Sequence, residues 1–353
     1  MRILVINCGS SSIKYKFFQM PKGKVISAGS LEHIAEKGSP IRDHLSGIRQ
    51  ILKGIQGIEA IGHRVVHGFE KFKEPVLIDK QVIRKIRQCS LLAPLHNPAN
   101  LDGILACKKL LPRINQVAVF DTAFHHTLPD HAYLYGLPYA YYQRFGVRKY
   151  GFHGTSHEYV AREAARIIKK PLDQLKVITC HLGNGCSITA IDKARSMDTS
   201  MGFTPLEGLI MGTRCGDIDP ALVTFIMRNK KIDAGKIDDI LNKESGLKGV
   251  SGISNDMRKV LSQARKGHKR ARLAVDMFVY RIKKYIGAYT AVMGGLDALV
   301  FTAGIGEHAG LIRDKICRGS FAHLKRKPRI LVIPTNEELM IARQAHILLE
   351  AKR

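Results

Sequence analysis

Acidic residues are scarce in this chain: 30 Asp and Glu stand against 56 Lys and Arg, a formal net charge of +26. That imbalance raises nucleic-acid binding as a reading. However, the cations are spread in small groups such as RKGHKRAR (265–272) and KRKPR (325–329). Neither an aromatic-rich RNA-binding motif nor zinc-finger cysteine spacing accompanies them, and a basic solvated surface accounts for the charge more simply. No specific nucleic-acid partner is expected. The chain also lacks any apolar run of the roughly 18 residues that a membrane span needs, so no membrane partner is expected. The N-terminal ILVI falls short of the ~7–15-residue apolar core of a signal peptide. CxxC pairs are missing, and the seven cysteines are odd in number. Both facts argue against a disulfide framework or a zinc site and for a reducing, cytoplasmic setting. No low-complexity linker marks a domain boundary.

The chain's 353 residues exceed one typical core, and two domains are the natural expectation. Hydrophobic content of 45% with 24% charge is globular composition. The first motif, VINCGSSSIKYKFF (5–18), reads as strand, polar Gly/Ser turn, strand: a hairpin rather than the strand-to-helix entry of a Walker loop. KVITCHLGNGCSITAID (176–192) repeats that pattern, which suggests a duplicated fold with one backbone-amide cradle in each half. A third glycine turn, LVFTAGIGEH (299–308), precedes a helix expected from about Ala309. Helical spacing predicts a Thr/Ser-capped helix over 155–170, a long and mostly buried helix over 269–293, and a C-terminal helix over 335–352 capped by Thr or Asn. The mixture is α/β.

The chemistry-bearing stretches are weak singly and gain weight together. GHRVVHG (62–68) reads as strand, which places Arg64, Val66 and Gly68 on one face and Val65, His67 and Phe69 on the other. APLHNP, FDTAFHH and YGFHGTSH add histidines and an aspartate beside glycine or proline, and DTSMGFTPLEGLIMGTRCGDIDP (198–220) is a long loop carrying Arg214. With SGISNDMR, FTAGIGE and IPTNEELMIAR, these stretches occur in the order expected of the acetokinase family, which the chain resembles from residue 1 to about 347. The family belongs to the acetate and sugar kinase, heat-shock 70 and actin superfamily.

The resemblance implies two duplicated actin-like, ribonuclease H-like α/β domains with a cleft between them. One would comprise 1–124 plus 338–353; the other, nucleotide-binding, 125–337. It implies reversible, ATP-dependent phosphorylation of acetate to acetyl phosphate by a homodimer using Mg²⁺, with Mn²⁺ an alternative. Asp121, His153 and Arg214 would be catalytic. Arg64 would hold the acyl carboxylate, with Val66, Leu95, Phe152 and Pro205 forming a small apolar acyl pocket. Asn7 and Glu337 would bind the metal. Ser10, Ser12 and Lys14 would meet phosphate, as would His181, Leu182, Gly183, Asn184 and Gly185. Asp256, Met257 and Arg258, with Gly304, Ile305, Gly306, Glu307 and His308, would hold the adenosine side. A propionate or butyrate kinase of the same family is the alternative among enzymes. A degenerate basic protein that binds nucleotide or nucleic acid without turnover is the alternative outside them.

The physics suits the enzyme. Phosphoryl transfer spreads negative charge over equatorial oxygens, so cationic clamping and positioning do most of the catalysis. The chain departs from the family pattern in three places. Phe69 stands where a second glycine is usual, and His308 stands where asparagine is usual. The region between 317–324 and 329–339 is short, which could expose an edge of the second domain. Further trimming falls between residues 20 and 60.

Overall fold

The computed structural model describes every residue except Lys37, 91–95, His323 and Arg353. The chain divides into two compact units: Met1–His126 with Gly154–Tyr159 and Asn336–Arg353, and Thr127–His153 with Val160–Thr335.

The first unit is built on six strands: β1 (Arg2–Cys8), β2 (Ser12–Gln19), β3 (Lys24–Glu32), β4 (Ala60–Val65), β5 (Val76–Leu77) and β6 (Asn115–Phe120). Their order is β3-β2-β1-β4-β6-β5. β1, β2 and β3 form an antiparallel meander, β4 and β6 add in parallel beside β1, and β5 closes the edge antiparallel. Burial of both faces explains why the middle of β1, ILVI (3–6), is apolar without alternation. Leu4, Ile6 and Cys8 pack into a cluster that includes Ile48 and Ile51 of the helix His44–Lys53. Ile3 and Val5 pack on the other face with Ile341, Ala342 and Ala345 of the C-terminal helix Glu337–Glu350.

The second unit repeats that plan with β7 (Val177–Leu182), β8 (Cys186–Asp192), β9 (Arg195–Thr199), β10 (Ala298–Thr302) and β11 (Arg329–Val332), in the order β11-β10-β7-β8-β9. Again three antiparallel strands are followed by two parallel additions. β7 and β10, covered on both faces, are buried at every residue. The duplication read from the two glycine hairpins is therefore a duplication of sheet topology.

Four local expectations are corrected. The helix Gly154–Ile168 takes His153, not a Thr or Ser, as its N-cap; His153 lies at φ 55° and makes no side-chain cap bond. The helix Lys269–Met293 has the predicted bounds but is not mostly buried. Ala274, Phe278, Ile282 and Ile286 face inward, while Leu273, Tyr280 and Val292 are 52%, 65% and 62% exposed. The glycine stretch after β10 is itself a short helix, Ala303–His308, and the next helix starts at Gly310. Tertiary packing overrides the low helix propensity of glycine there. Finally, the strand carrying Arg64 stops at Val65 instead of running to Gly68. β11 fits its expected exposure: it is an edge strand, with Ile330 and Val332 over 40% exposed.

Two buried histidines give the first unit a pH signature. His63 bonds Gln116 at 2.9 Å, and burial, against that bond, brings its pKa down to about 4; burial alone does the same for His67. In the unfolded chain both titrate near about 6.5. Their contribution to stability is therefore complete above pH 6.5 and is lost as pH falls toward 4, up to about 3 kcal/mol for each. The urea midpoint is expected to drop between pH 7 and pH 5. His63→Asn, which retains a donor for Gln116, should flatten the profile; an unchanged slope would remove His63 from it.

Candidate active site

In the first unit the parallel strands end together, and their C-terminal ends present the polar residues, as in α/β ligand sites generally. β1 and β4 are paired up to Ile6 and His63, so Asn7 and Arg64 are the next residues on each. Val65 pairs with Phe120 on β6, and Asp121 follows. Arg64 grips Asp121 through two bonds, Nε to Oδ1 at 3.0 Å and a terminal nitrogen to Oδ2 at 2.6 Å. Glu337, at the start of the C-terminal helix, lies 3.7 Å from Arg64 Nε. Burial works to lower the Arg64 pKa, but the carboxylates of Asp121 and Glu337 more than offset it and hold the guanidinium firmly charged. Burial pushes Glu337 above the ordinary carboxylate range, Asp121 adds to that, and Arg64 and Lys14 oppose it. Lys14 sits directly across the β1–β2 ladder from Asn7. The turn between them closes with Gly9 N–H donating to Ser12 O at 2.8 Å, leaving Ser10 exposed.

Beyond Val65 the backbone is held by side chains, not by a ladder. Val66 N–H donates to Asn100 Oδ1, His67 N–H to Asn97 Oδ1 and Gly68 N–H to Thr122 Oγ1, all within 3.1 Å. This fixes buried Val66 and overturns the strand alternation expected for 66–69. Sequence reasoning passed over Asn97, Asn100 and Thr122; the signal was polar residues inside apolar surroundings. Leu95 lies outside the described residues.

Phe69 has φ 55°, a backbone conformation that costs glycine nothing and other residues ~1–2 kcal/mol. Its ring packs at the edge of the cluster containing Val65, Phe72 and Ile86. Phe69→Ala would lose that packing and keep the strain, whereas Phe69→Gly would lose packing and strain together. The glycine variant should therefore be more stable than the alanine variant by about 1 kcal/mol in urea titrations. An alanine variant as stable as the glycine one would contradict the left-handed backbone at this position.

In the second unit the β7–β8 turn has Gly183 N–H donating to Gly185 O at 3.0 Å, and Gly212 N–H donating to Asn184 O. His181 and Ser187 pair across the ladder. His153 Nδ1 lies 2.8 Å from Ser187 Oγ, and its ring stacks on His181 at 4.2 Å. A Cβ at Gly185 would lie 3.4 Å from His153 and 3.5 Å from Arg214, so the absent side chain leaves these two groups flanking the turn. A terminal nitrogen of Arg214 donates to Pro205 O at 3.3 Å and meets Met211 S at 3.9 Å. No carboxylate among the described residues pairs with Arg214, and burial lowers its pKa. Phe152 is fully buried.

Beside the same turn lies a cavity of about 580 Å³, within the range of small-molecule sites. Gly183, Asn184, Asp256, Met257, Arg258, Gly304, Ile305 and His308 line it, as do Asn255, Leu261, Arg265 and Leu311, which the sequence did not single out. Asp256 caps the helix Met257–Arg265, and the Arg258 side chain's fork, with the Arg258 N–H, brings its pKa to about 2. Leu182, Gly306 and Glu307 are not among the lining residues; Glu307 Oε1 accepts from Ala303 N–H at 2.8 Å.

Residues 41–325 match the model of the acetokinase family. The chain is 52% identical over a 398-position alignment to the acetate kinase of Halothermothrix orenii, covering 99% of this chain and 100% of that protein. An alignment longer than the 353-residue chain requires internal gaps on this side. Crystal structures of Porphyromonas gingivalis acetate kinase (TM-score 0.93, covering 99% of both chains) and of a Francisella tularensis propionate kinase (TM-score 0.91, covering 97% of this chain and 98% of that one) are each 43% identical. A ROK family protein from Streptococcus pneumoniae, 11% identical with TM-score 0.51 and full coverage of both chains, shares the fold alone.

Proposed function

The chain belongs to the acetokinase family, and on that premise we propose that it is an acetate kinase, transferring the γ-phosphoryl group of ATP to acetate. One observation carries this reading: Arg214, a desolvated guanidinium with no carboxylate partner among the described residues, stands with His153 beside the side-chain-free Gly185 of the glycine turn. An acetate oxygen forms the new bond to the γ-phosphorus, and the bond to the β,γ-bridging oxygen breaks with its electron pair leaving on ADP. Acetate needs no general base, because a carboxylic acid with pKa near ~4.3 is already ionised at pH 7.

Each residue then has a task. Arg64 holds the acetate carboxylate with the guanidinium edge that Asp121 leaves free, Asp121 keeping it in orientation through the other edge. Val66, two residues beyond Arg64, meets the methyl group. Arg214 and His153 stabilise charge on the transferring phosphoryl. In the second unit Gly183–Gly185 offer backbone amides to phosphate, and in the first unit Ser10, Ser12 and Lys14 bring hydroxyls and a cation suited to the same kind of group. The 580 Å³ cavity takes the nucleoside, with Met257 and Ile305 as apolar walls. Asn7 and Glu337 bring hard oxygen donors, the type Mg²⁺ takes alongside substrate phosphates and water, and Mn²⁺ accepts the same set. When bound, such an ion neutralises phosphate charge.

A propionate preference is the second reading, raised by the Francisella propionate kinase being as identical to this chain, at 43%, as the Porphyromonas acetate kinase. A coupled assay of ADP formation with acetate, propionate and butyrate separates the two, since one methylene is worth about 1–3 kcal/mol in a fitted pocket. The highest kcat/KM is expected with acetate. Propionate in first place would favour the second reading, and no ADP with any acid would overturn both.

The proposal includes a homodimer working in the cytoplasm. The helix Ala221–Lys230 has no buried residue, and Leu222 and Phe225 are 44% and 61% exposed, which suits a face covered by a second copy. A sedimenting mass twice 39.3 kDa is expected. All seven cysteines are free, as a reducing compartment requires.

A further inference from the structure

The loop Gly208–Asp217 carries Arg214 and is pinched shut at its base. Gly208 N–H donates to Asp217 Oδ1 at 2.7 Å, and Asp217 N–H donates to Gly208 O at 3.0 Å. The pinch leaves no room for side chains: at Gly216 (φ 69°) a Cβ would fall 2.5 Å from the Gly208 and Leu209 oxygens. The other carboxylate oxygen, Oδ2, is taken from the long helix Lys269–Met293 by Arg281 at 2.9 Å and Tyr285 OH at 2.8 Å. Asp217 thus ties the base of the loop to the helix Lys269–Met293.

Packing cannot do this work on the loop's outer side. A cavity of about 430 Å³ opens there, lined by Phe203, Leu206, Cys215, Gly216 and Ile218 among others. Its polar groups are already engaged. Tyr135 OH donates to Glu207, Phe203 N–H donates to Tyr135 OH, and Cys215 Sγ donates to Gly216 O. The cavity therefore invites no ligand of its own, and it leaves the 215–217 end of the loop without apolar cover on that side, whereas Leu209, Ile210 and Met211 at the other end are buried. Where packing is missing, hydrogen bonds set position, and a misplacement of about 1 Å at a reacting centre can cost ~10²-fold in rate.

We propose that Asp217 is a positioning residue for Arg214, holding the base of its loop in the register that aims the guanidinium at the transferring phosphoryl. This rests on the kinase reading above. Asp217→Asn preserves shape but turns an acceptor into a donor against either Gly208 N–H or the Arg281 and Tyr285 pair. It should lower kcat tenfold or more and leave KM for ATP within about twofold, since the nucleoside cavity does not include the loop base.

The decisive experiment is a double-mutant cycle with Arg214→Ala, read as ATP formation from acetyl phosphate and ADP. If Asp217 acts through Arg214, Asp217→Asn should cost less than about threefold further in the Arg214→Ala background. An equal loss in both backgrounds, or a loss under tenfold in the otherwise native enzyme, would overturn the proposal. Should Asp217→Asn fail to fold, Tyr285→Phe removes one donor and runs the same cycle, with about fivefold expected alone and none in the Arg214→Ala background. Wild-type turnover is measured alongside. Its absence would remove the kinase reading, whereas turnover with equal losses in both backgrounds removes only the role of Asp217.

Discussion

Replacing Arg214 by alanine should lower kcat by about 10³-fold or more, the usual cost of losing a phosphoryl-clamping arginine. The expectation follows from its surroundings. The guanidinium is desolvated, and it bonds the Pro205 carbonyl and meets the Met211 thioether, neither of which cancels its charge. A cation in such a place acts on an incoming anion through a low effective dielectric, where electrostatic stabilisation is strongest. KM for ATP should move little, because Arg214 does not line the nucleoside cavity. Arg214→Lys should recover only part of the loss, since an ammonium lacks the planar fork. A drop under tenfold for the alanine variant would take Arg214 out of the transition state.

Removing Asp121 should damage stability and turnover together. Asp121 is 1% exposed and holds Arg64 bidentately, so Asp121→Ala leaves a largely buried guanidinium without its main partner. Breaking such a pair costs about 3–5 kcal/mol. Glu337, 3.7 Å from Arg64, can recover part of that by closing on the freed guanidinium. That movement would also misdirect Arg64, so kcat should fall by at least about 10²-fold. Asp121→Asn, which keeps the shape and one acceptor, should lose turnover with a smaller loss of stability. Urea unfolding and single-turnover rates on the two variants test this. An alanine variant within 1 kcal/mol of native stability and with native turnover would show that Arg64 needs no orienting partner.

Much of the fold could be read from the sequence, and the reason is local. Each glycine hairpin combines apolar strands with a polar turn, and that pattern fixes β1–β2 and β7–β8 without help from distant residues. Helical periodicity likewise set the bounds of Lys269–Met293. It could not reveal that Leu273, Tyr280 and Val292 face outward, because an apolar side chain does not announce whether it has a partner. The end of β4 at Val65 was illegible for a similar reason. The amides of Val66, His67 and Gly68 are captured by Asn100, Asn97 and Thr122, residues 30 to 54 positions away in sequence.

The candidate site shows the same division. The resemblance named Arg64, Asp121 and Glu337, which one cluster brings together, and His153, His181 and Arg214, which another gathers around the Gly183–Gly185 turn. Residues whose part is to hold others left little trace. His44 Nε2 meets Gly9 O at 2.8 Å under the first turn, and Asp217 anchors the Arg214 loop. Histidine or aspartate at such positions looks no different in sequence from a solvated one.

The most direct test of phosphoryl transfer to acetate uses ATP, Mg²⁺ and acetate labelled in both carboxylate oxygens with heavy oxygen, followed by ³¹P NMR. The expected result is ADP together with acetyl phosphate whose phosphorus resonance carries the isotope shift of one labelled bridging oxygen. That label reaches phosphorus only if an acetate oxygen attacked it. AMP and pyrophosphate in place of ADP would move the attack to the α-phosphorus, and ADP with unlabelled phosphate alone would reduce the reaction to hydrolysis. Either outcome would contradict the account.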